Sequence, residues 1–223
     1  MQTPRYYFFG DFTDLEEYFL SRPHKHVAFR RGELLWAPGE PCVRIHYMLS
    51  GLSMHYAQHE SDRRRIISFH GPGTVYPGYH RRDYRIELSL VTEALSDIEA
   101  LEFTPAQFSA MFEENPALAQ RVADWYSAYT NLFLFDSVHQ EYNSSLTRLC
   151  NLLYLLTDTR TAPLPPEVTV TQDEMADILG ISRVHLTRAL SELRDLGIVS
   201  TSRRCVHILD RMALSRFCSG ETI

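Results

Sequence analysis

Lysine is nearly missing from this chain: among the 22 basic residues, Lys25 is the single lysine and the rest are arginine. Cysteine is scarce too. The four, Cys42, Cys150, Cys205 and Cys218, show no C-x-x-C spacing. That pattern argues against a zinc ribbon, a clustered iron–sulfur ligand set or a disulfide framework, and favours reduced thiols. No apolar run approaches the roughly 18–20 residues that span a bilayer. The N-terminal MQTPRYYFFGDF has no apolar core of the signal-peptide kind. A cytoplasmic location without membrane contact is therefore expected. Net positive charge is also absent: the formal charge is −6, so any attraction to nucleic acid must come from local placement. What is present is ordinary for a globular protein, with 44% apolar residues in 223, enough for a substantial core and for two domains.

The texture changes along the chain. Residues 11–20, DFTDLEEYFL, read as a short amphipathic helix with Phe12, Leu15 and Phe19 on one side. From His26 to about Glu102, short runs rich in β-branched and aromatic residues alternate with turn signals such as Pro38-Gly39, Ser50-Gly51 and Gly71-Pro72-Gly73. The turns recur roughly every ten residues, the spacing of a small antiparallel roll. Thr104-Pro105 and Asn115-Pro116 then open two helices, the second running from Pro116 to about Gln140. Along it, Leu118, Val122, Trp125, Tyr129 and Leu132 advance by alternating steps of four and three, a coiled-coil-like seam. Pairing of two chains along that seam is expected; packing of the helix on its own barrel is the alternative. Another helix, from about Asn143 to Leu156, carries Leu146, Leu149, Leu152, Leu153 and Leu156 inward, and TDTRTAPLPPE breaks it. The expected organisation is a roll at 1–115, a seam helix at 116–140 and a small helical domain at 141–223.

The segment TQDEMADILGISRVHLTRALSEL, from Thr171, predicts two helices and a turn. Thr171 with Glu174 forms a capping box, Gly180 supplies a left-handed stop, and Ser182 caps the second helix. Met175, Ala176 and Leu179, then Ile181, Leu186, Ala189, Leu190 and Leu193, form the inner face. The outer face is Arg183, Val184, His185, Thr187, Arg188 and Ser191, with no acid before Glu192. Two arginines one turn apart suit the O6 and N7 acceptors of guanine. LGIVSTSRRCVHILD then reads as strand, turn and strand with Arg203 and Arg204 at the tip: a wing able to touch phosphate. Asp210 caps a last helix. A structural helical hairpin with a solvated arginine face is the alternative reading.

The order of roll, seam helix and winged helix-turn-helix resembles the CRP/FNR family of transcriptional regulators over essentially the whole chain. The resemblance rests on GELLWAPGEPCVRIHYMLSGLSMHY at Gly32–Tyr56, HGPGTV at His70–Val75 and the helix-turn-helix segment. It implies an α+β fold: an N-terminal antiparallel β-roll like cyclic-nucleotide-binding domains, a dimerisation helix and a C-terminal winged helix-turn-helix. It also implies a homodimer on palindromic double-stranded DNA, RNA polymerase as a further partner, and a small effector bound between roll and seam helix. By that resemblance Arg183, Val184, Thr187 and Arg188 read bases. Thr171, Gln172, Ser182, His185, Arg203 and Arg204 hold phosphates. Many members have glutamate where Val184 stands; valine can pack only on a thymine methyl, so a different half-site is expected.

The resemblance also bears on the effector. Nucleotide-binding members carry a G-E phosphate cassette and, later, an arginine followed by Ser or Thr; here Tyr76-Pro77 replaces the glutamate, and the arginine position falls on or near Glu87. A carboxylate about 4 Å from a phosphate costs several kcal/mol at intermediate dielectric. Cyclic AMP is therefore not expected. Tyr76, Tyr79, Arg82, Tyr84 and Glu87, with Tyr129, Leu132 and Phe133 on the helix, would instead suit a small organic or aromatic anion, as in halorespiration-type regulators. A solvated arginine loop is the alternative. No cofactor is expected. Iron–sulfur sensing needs N-terminal cysteines that are lacking, whereas ten histidines keep haem-based gas or redox sensing as a second reading. No G-x-S-x-G, P-loop or H-E-x-x-H motif is present, and His24-x-His26 with Glu33 is poorly spaced for a cupin-like metalloenzyme. An enzyme, a catalytic residue or a metal site is not expected.

Overall fold

The computed structural model describes the chain apart from residues 1–2, 42, 61–62, 77–88, 159–166, 169 and 203–204. It divides into two compact units, Tyr7–Tyr129 on one side and Met1–Tyr6 with Thr130–Ile223 on the other. The long helix expected as a separate segment contributes to both.

The first unit is the antiparallel roll. Its strands are β1 (Tyr7–Phe8), β2 (Lys25–Phe29), β3 (Leu34–Trp36), β4 (Ile45–Ser50), β5 (Ser53–Gln58), β6 (Arg64–His70), β7 (Val75–Tyr76), β8 (Leu90–Ala94) and β9 (Ile98–Phe103). Among the described residues they form two sheets, ordered β1-β6-β5-β8-β3 and β2-β9-β4-β7. β1 is the exception to the antiparallel plan: it lies parallel to β6, with Tyr7 opposite Phe69. Between β4 and β5, Gly51 has φ +85°, and a Cβ there would collide with the backbone of Asp97 and Ile98. Only glycine fits so tight a reversal against a neighbouring turn. The predicted N-terminal helix is a 3-10 turn at Thr13–Leu15 followed by α1 (Glu16–Leu20). Phe12 and Phe19 are buried as expected, and Phe19 stacks on Tyr47 at 4.5 Å between ring centroids. Helix α2 (Pro105–Glu114) starts where Thr104-Pro105 predicts, and Thr104 and Gln107 close a reciprocal capping box.

Helix α3 (Pro116–Tyr142) carries the expected stripe, but the chain itself covers it. Leu118, Val122, Trp125 and Leu132 are all buried within the single chain. In the first unit Trp125 packs on Phe8 (5.6 Å) and stacks on Tyr129 (4.9 Å). The four-three spacing thus marks a stripe covered by the chain's own core. A coiled-coil seam and a core-facing stripe have nearly the same period, so spacing cannot name the partner. The large apolar side chains that α3 leaves exposed are others: Tyr126, Phe133, Leu134, Val138 and Tyr142.

The second unit is the winged helix-turn-helix. Helix α4 (Ser145–Leu156) is capped by Ser144, whose Oγ accepts from the Thr147 amide, and buries Leu149, Leu152, Leu153 and Leu156; Leu146 is only half-buried. Asn151, buried among these leucines, bonds Ser219 through both ends of its amide (3.0 and 2.9 Å) and so ties the C-terminal segment to α4. After β10 (Glu167–Val168) come α5 (Gln172–Leu179) and α6 (Arg183–Asp195), and Gly180 between them has φ 61° and ψ 33°. This is the left-handed stop predicted. Ile181, expected in the core, is half-buried, while Leu186, Ala189, Leu190 and Leu193 are buried as their spacing demands. Strands β11 (Val199–Ser202) and β12 (Cys205–Ile208) make the wing, and β10 adds a third strand on β12 that no sequence signal marked. Asp210 caps α7 (Arg211–Ser215).

Candidate functional site

Helix α6 projects a polar face because its apolar residues lie on the other side. Arg183, Val184, His185, Thr187 and Arg188 are all exposed, Val184 by 60%. Two local bonds fix the start of the helix: Ser182 Oγ accepts from the His185 amide (3.3 Å), and Thr187 Oγ1 donates to the Arg183 carbonyl (2.8 Å). The His185 ring Nδ1 also faces Ser182 Oγ at 2.9 Å. The face is not free of acid, as the linear reading held. Asp173, from α5, sets its Oδ1 2.5 Å from Arg183 Nη1. Thr171, Gln172, Asp173, Arg183, Ser202 and Cys205 line a groove of about 370 Å³ between the helix pair and the wing. Thr171 donates from both its amide and its hydroxyl to Glu174 (2.7 Å each) and so caps α5. On the wing side, Arg194 bonds Thr201 and Ser191. Arg203 and Arg204 lie outside the described residues.

A second concentration of chemistry lies inside the roll. Tyr76 is buried at its centre. Its ring lies 4.0 Å from His70, 4.7 Å from His55, 5.8 Å from Trp36 and 6.2 Å from Trp125. Ser68 Oγ joins His70 Nε2 (2.8 Å) to the Tyr129 hydroxyl (3.1 Å), and His55 Nδ1 faces Thr92 Oγ1 at 3.0 Å. Burial pushes the His55 pKa down to about 3, so the ring is neutral at pH 7. Burial also brings His46 down to about 4, against the opposing pull of Glu102, whose carboxylate lies 3.1 Å from Nε2. Tyr129 is pushed up to about 12, chiefly by burial. The indole N–H groups of Trp36 and Trp125 are buried with no hydrogen-bond acceptor among the described residues. The cluster is therefore aromatic and rich in hydrogen-bonding groups.

Of the residues expected to meet an effector, Tyr76 and Tyr129 are in this cluster. Leu132 is buried and Phe133 is 45% exposed, whereas Tyr79, Arg82, Tyr84 and Glu87 lie outside the described residues. Sequence reasoning did not assign Trp36, His55, Ser68, His70 or Trp125 to this cluster. The one available signal was HGPGTVY, which folds His70 and Tyr76 back toward each other around a Gly-Pro-Gly turn. No helix among the described residues is long and apolar enough to cross a membrane.

Comparison with known proteins agrees with this architecture. The Crp-like helix-turn-helix domain model matches residues 147–217. The chain is 25% identical over 205 residues to the global nitrogen regulator of Synechococcus elongatus, covering 84% of this chain and 87% of that protein. It is 22% identical over 201 residues to the CRP-like cAMP-activated global transcriptional regulator of Mycobacterium tuberculosis, covering 88% and 89%. The fold is that of FixK2 from Bradyrhizobium japonicum, with a TM-score of 0.75 at 19% identity over 89% of this chain and 98% of that one. These relatives are regulators of transcription, not enzymes. With a Crp-like helix-turn-helix domain, a wing and a roll in the order described, the chain is similar along most of its length to DNA-binding transcriptional regulators of the CRP/FNR type.

Proposed function

We propose that the protein acts as a homodimer whose α6 helices enter successive major grooves of a palindrome, about 34 Å apart. Residues 1–115 sense an effector, 116–140 dimerise and 141–223 bind DNA. The observation that carries the DNA reading is the exposed face of α6, which starts at a Ser182 cap behind the left-handed Gly180 and presents Arg183, Val184, Thr187 and Arg188. Arg183 reads guanine through its guanidinium fork, and Val184 packs on a thymine methyl. Gln172, Ser182 and His185, with Arg203 and Arg204 of the wing, contact phosphates. Thr171 contributes by fixing the N-terminus of α5.

The dimer face of α3 is its exposed apolar side, with Tyr126 and Phe133, since Leu118, Val122 and Trp125 are already covered. A small organic anion with an aromatic ring is the effector. It binds against the Tyr76–Trp125–Tyr129 cluster. His46, His55 and His70 each already bond a protein group, which favours an organic effector over haem. Bound effector biases the geometry in which the two α6 helices meet DNA and, through it, recruitment of RNA polymerase.

The test is Arg183→Ala. Selection of random duplexes by the wild type yields an operator, and the variant should lose about 1–3 kcal/mol of preference at one G·C pair per half-site. An unchanged operator preference would remove α6 from base reading.

A further inference from the structure

We infer that Asp173 is a positioning residue for base recognition: it holds the Arg183 guanidinium in the orientation that reads guanine. This rests on the assignment of Arg183 as a base reader. The pair joins two helices. Asp173 is the second residue of α5, whose N-terminus is locked by the Thr171–Glu174 capping box, and Arg183 is the first of α6. The carboxylate that meets Arg183 therefore stands on a fixed backbone. The contact is with Nη1 alone, 2.5 Å away, so the Nε–Nη2 edge has no partner among the described residues and can reach O6 and N7 of a guanine.

Stability does not explain the pair. Both side chains are more than half exposed, at 61% and 63%, and exposed ion pairs contribute little to folding. A carboxylate on a DNA-facing surface also repels phosphate and weakens non-specific binding. What the pair does is restrict a long side chain with many rotamers before it meets DNA. The entropy of ordering the fork is then already lost in the free protein. The same carboxylate lowers affinity for every wrong sequence, so both effects act in favour of discrimination.

The experiment uses the full-length protein and fluorescence anisotropy on the operator selected by the wild type, on the same duplex with the guanine replaced, and on an unrelated duplex. Arg183→Ala, Asp173→Ala, Asp173→Asn, Asp173→Glu and the double Asp173→Ala/Arg183→Ala variant are compared, with circular dichroism to confirm folding. Asp173→Ala and Asp173→Asn should lose about tenfold discrimination at the guanine while binding the unrelated duplex more tightly. Asp173→Glu should recover part of the loss, and Asp173→Ala should change nothing further once Arg183 is alanine. If Arg183→Ala flattens the preference and Asp173→Ala does not, the positioning role is overturned. A further loss in the double variant overturns it too, because Asp173 would then read a base directly. If Asp173→Ala binds the operator more tightly with full discrimination, the pair is a restraint on Arg183, which also overturns it. If Arg183→Ala itself leaves the preference intact, the base-reading assignment fails and this inference falls with it.

Discussion

Acidification should destabilise the roll through its buried histidines, and the size of the effect follows from two of them. His55 is 4% exposed and His46 is 0% exposed; burial lowers their pKa values to about 3 and about 4, from 6.5 in an unfolded chain. Between those limits the unfolded state binds a proton that the folded state does not, so stability is full above pH 6.5 and falls as pH drops toward the folded values. From pH 7 to pH 5 the loss is about 2 kcal/mol for each histidine, or roughly 4 kcal/mol together, a large part of the 5–15 kcal/mol typical of a domain. Both tryptophans of the chain, Trp36 and Trp125, lie in this unit, so their fluorescence during urea unfolding reports on it alone. His55→Gln keeps a group able to bond Thr92 but removes the titration. At pH 5 the wild type should lose about 4 kcal/mol relative to pH 7 and the variant about 2, a difference of about 1 M in urea midpoint. Equal pH dependence in the two proteins would show that His55 does not stay neutral in the folded roll.

Two other outcomes test the dimer and effector readings. Tyr126→Asp combined with Phe133→Asp should convert a dimer to a monomer in sedimentation experiments without altering far-UV circular dichroism, and a persisting dimer would move the interface elsewhere. Titration with small aromatic carboxylates should give saturable quenching of tryptophan fluorescence, largely lost in Trp125→Phe and weakened by about 0.5–1.5 kcal/mol in Tyr129→Phe; a panel without saturable response would refute an aromatic anion as effector.

Local chemistry was readable wherever cause and effect lie within a few residues. The capping pairs Thr104–Gln107 and Thr171–Glu174, the Ser182 and Asp210 caps and the left-handed Gly180 all act over a single turn of chain, and each stands where its residue type predicts. The apolar period of α6 likewise placed Leu186, Ala189, Leu190 and Leu193 inside and its arginines outside. Periodicity failed at Leu118, Val122 and Trp125, because it reports that a face is covered and not by what. Pairings that bring distant segments together gave no signal at all: β1 beside β6, β10 on β12, and Asp173 against Arg183.

From the sequence alone came most of the elements, their order and the cationic face of α6, since propensity, capping and period are properties of neighbouring residues. Tertiary structure alone decided that α3 turns its first stripe onto its own roll, that His55, His70, Tyr76, Trp125 and Tyr129 meet in one cluster, and that a carboxylate from α5 meets Arg183. Those outcomes depend on which remote surfaces exclude water together, and no local spacing encodes that.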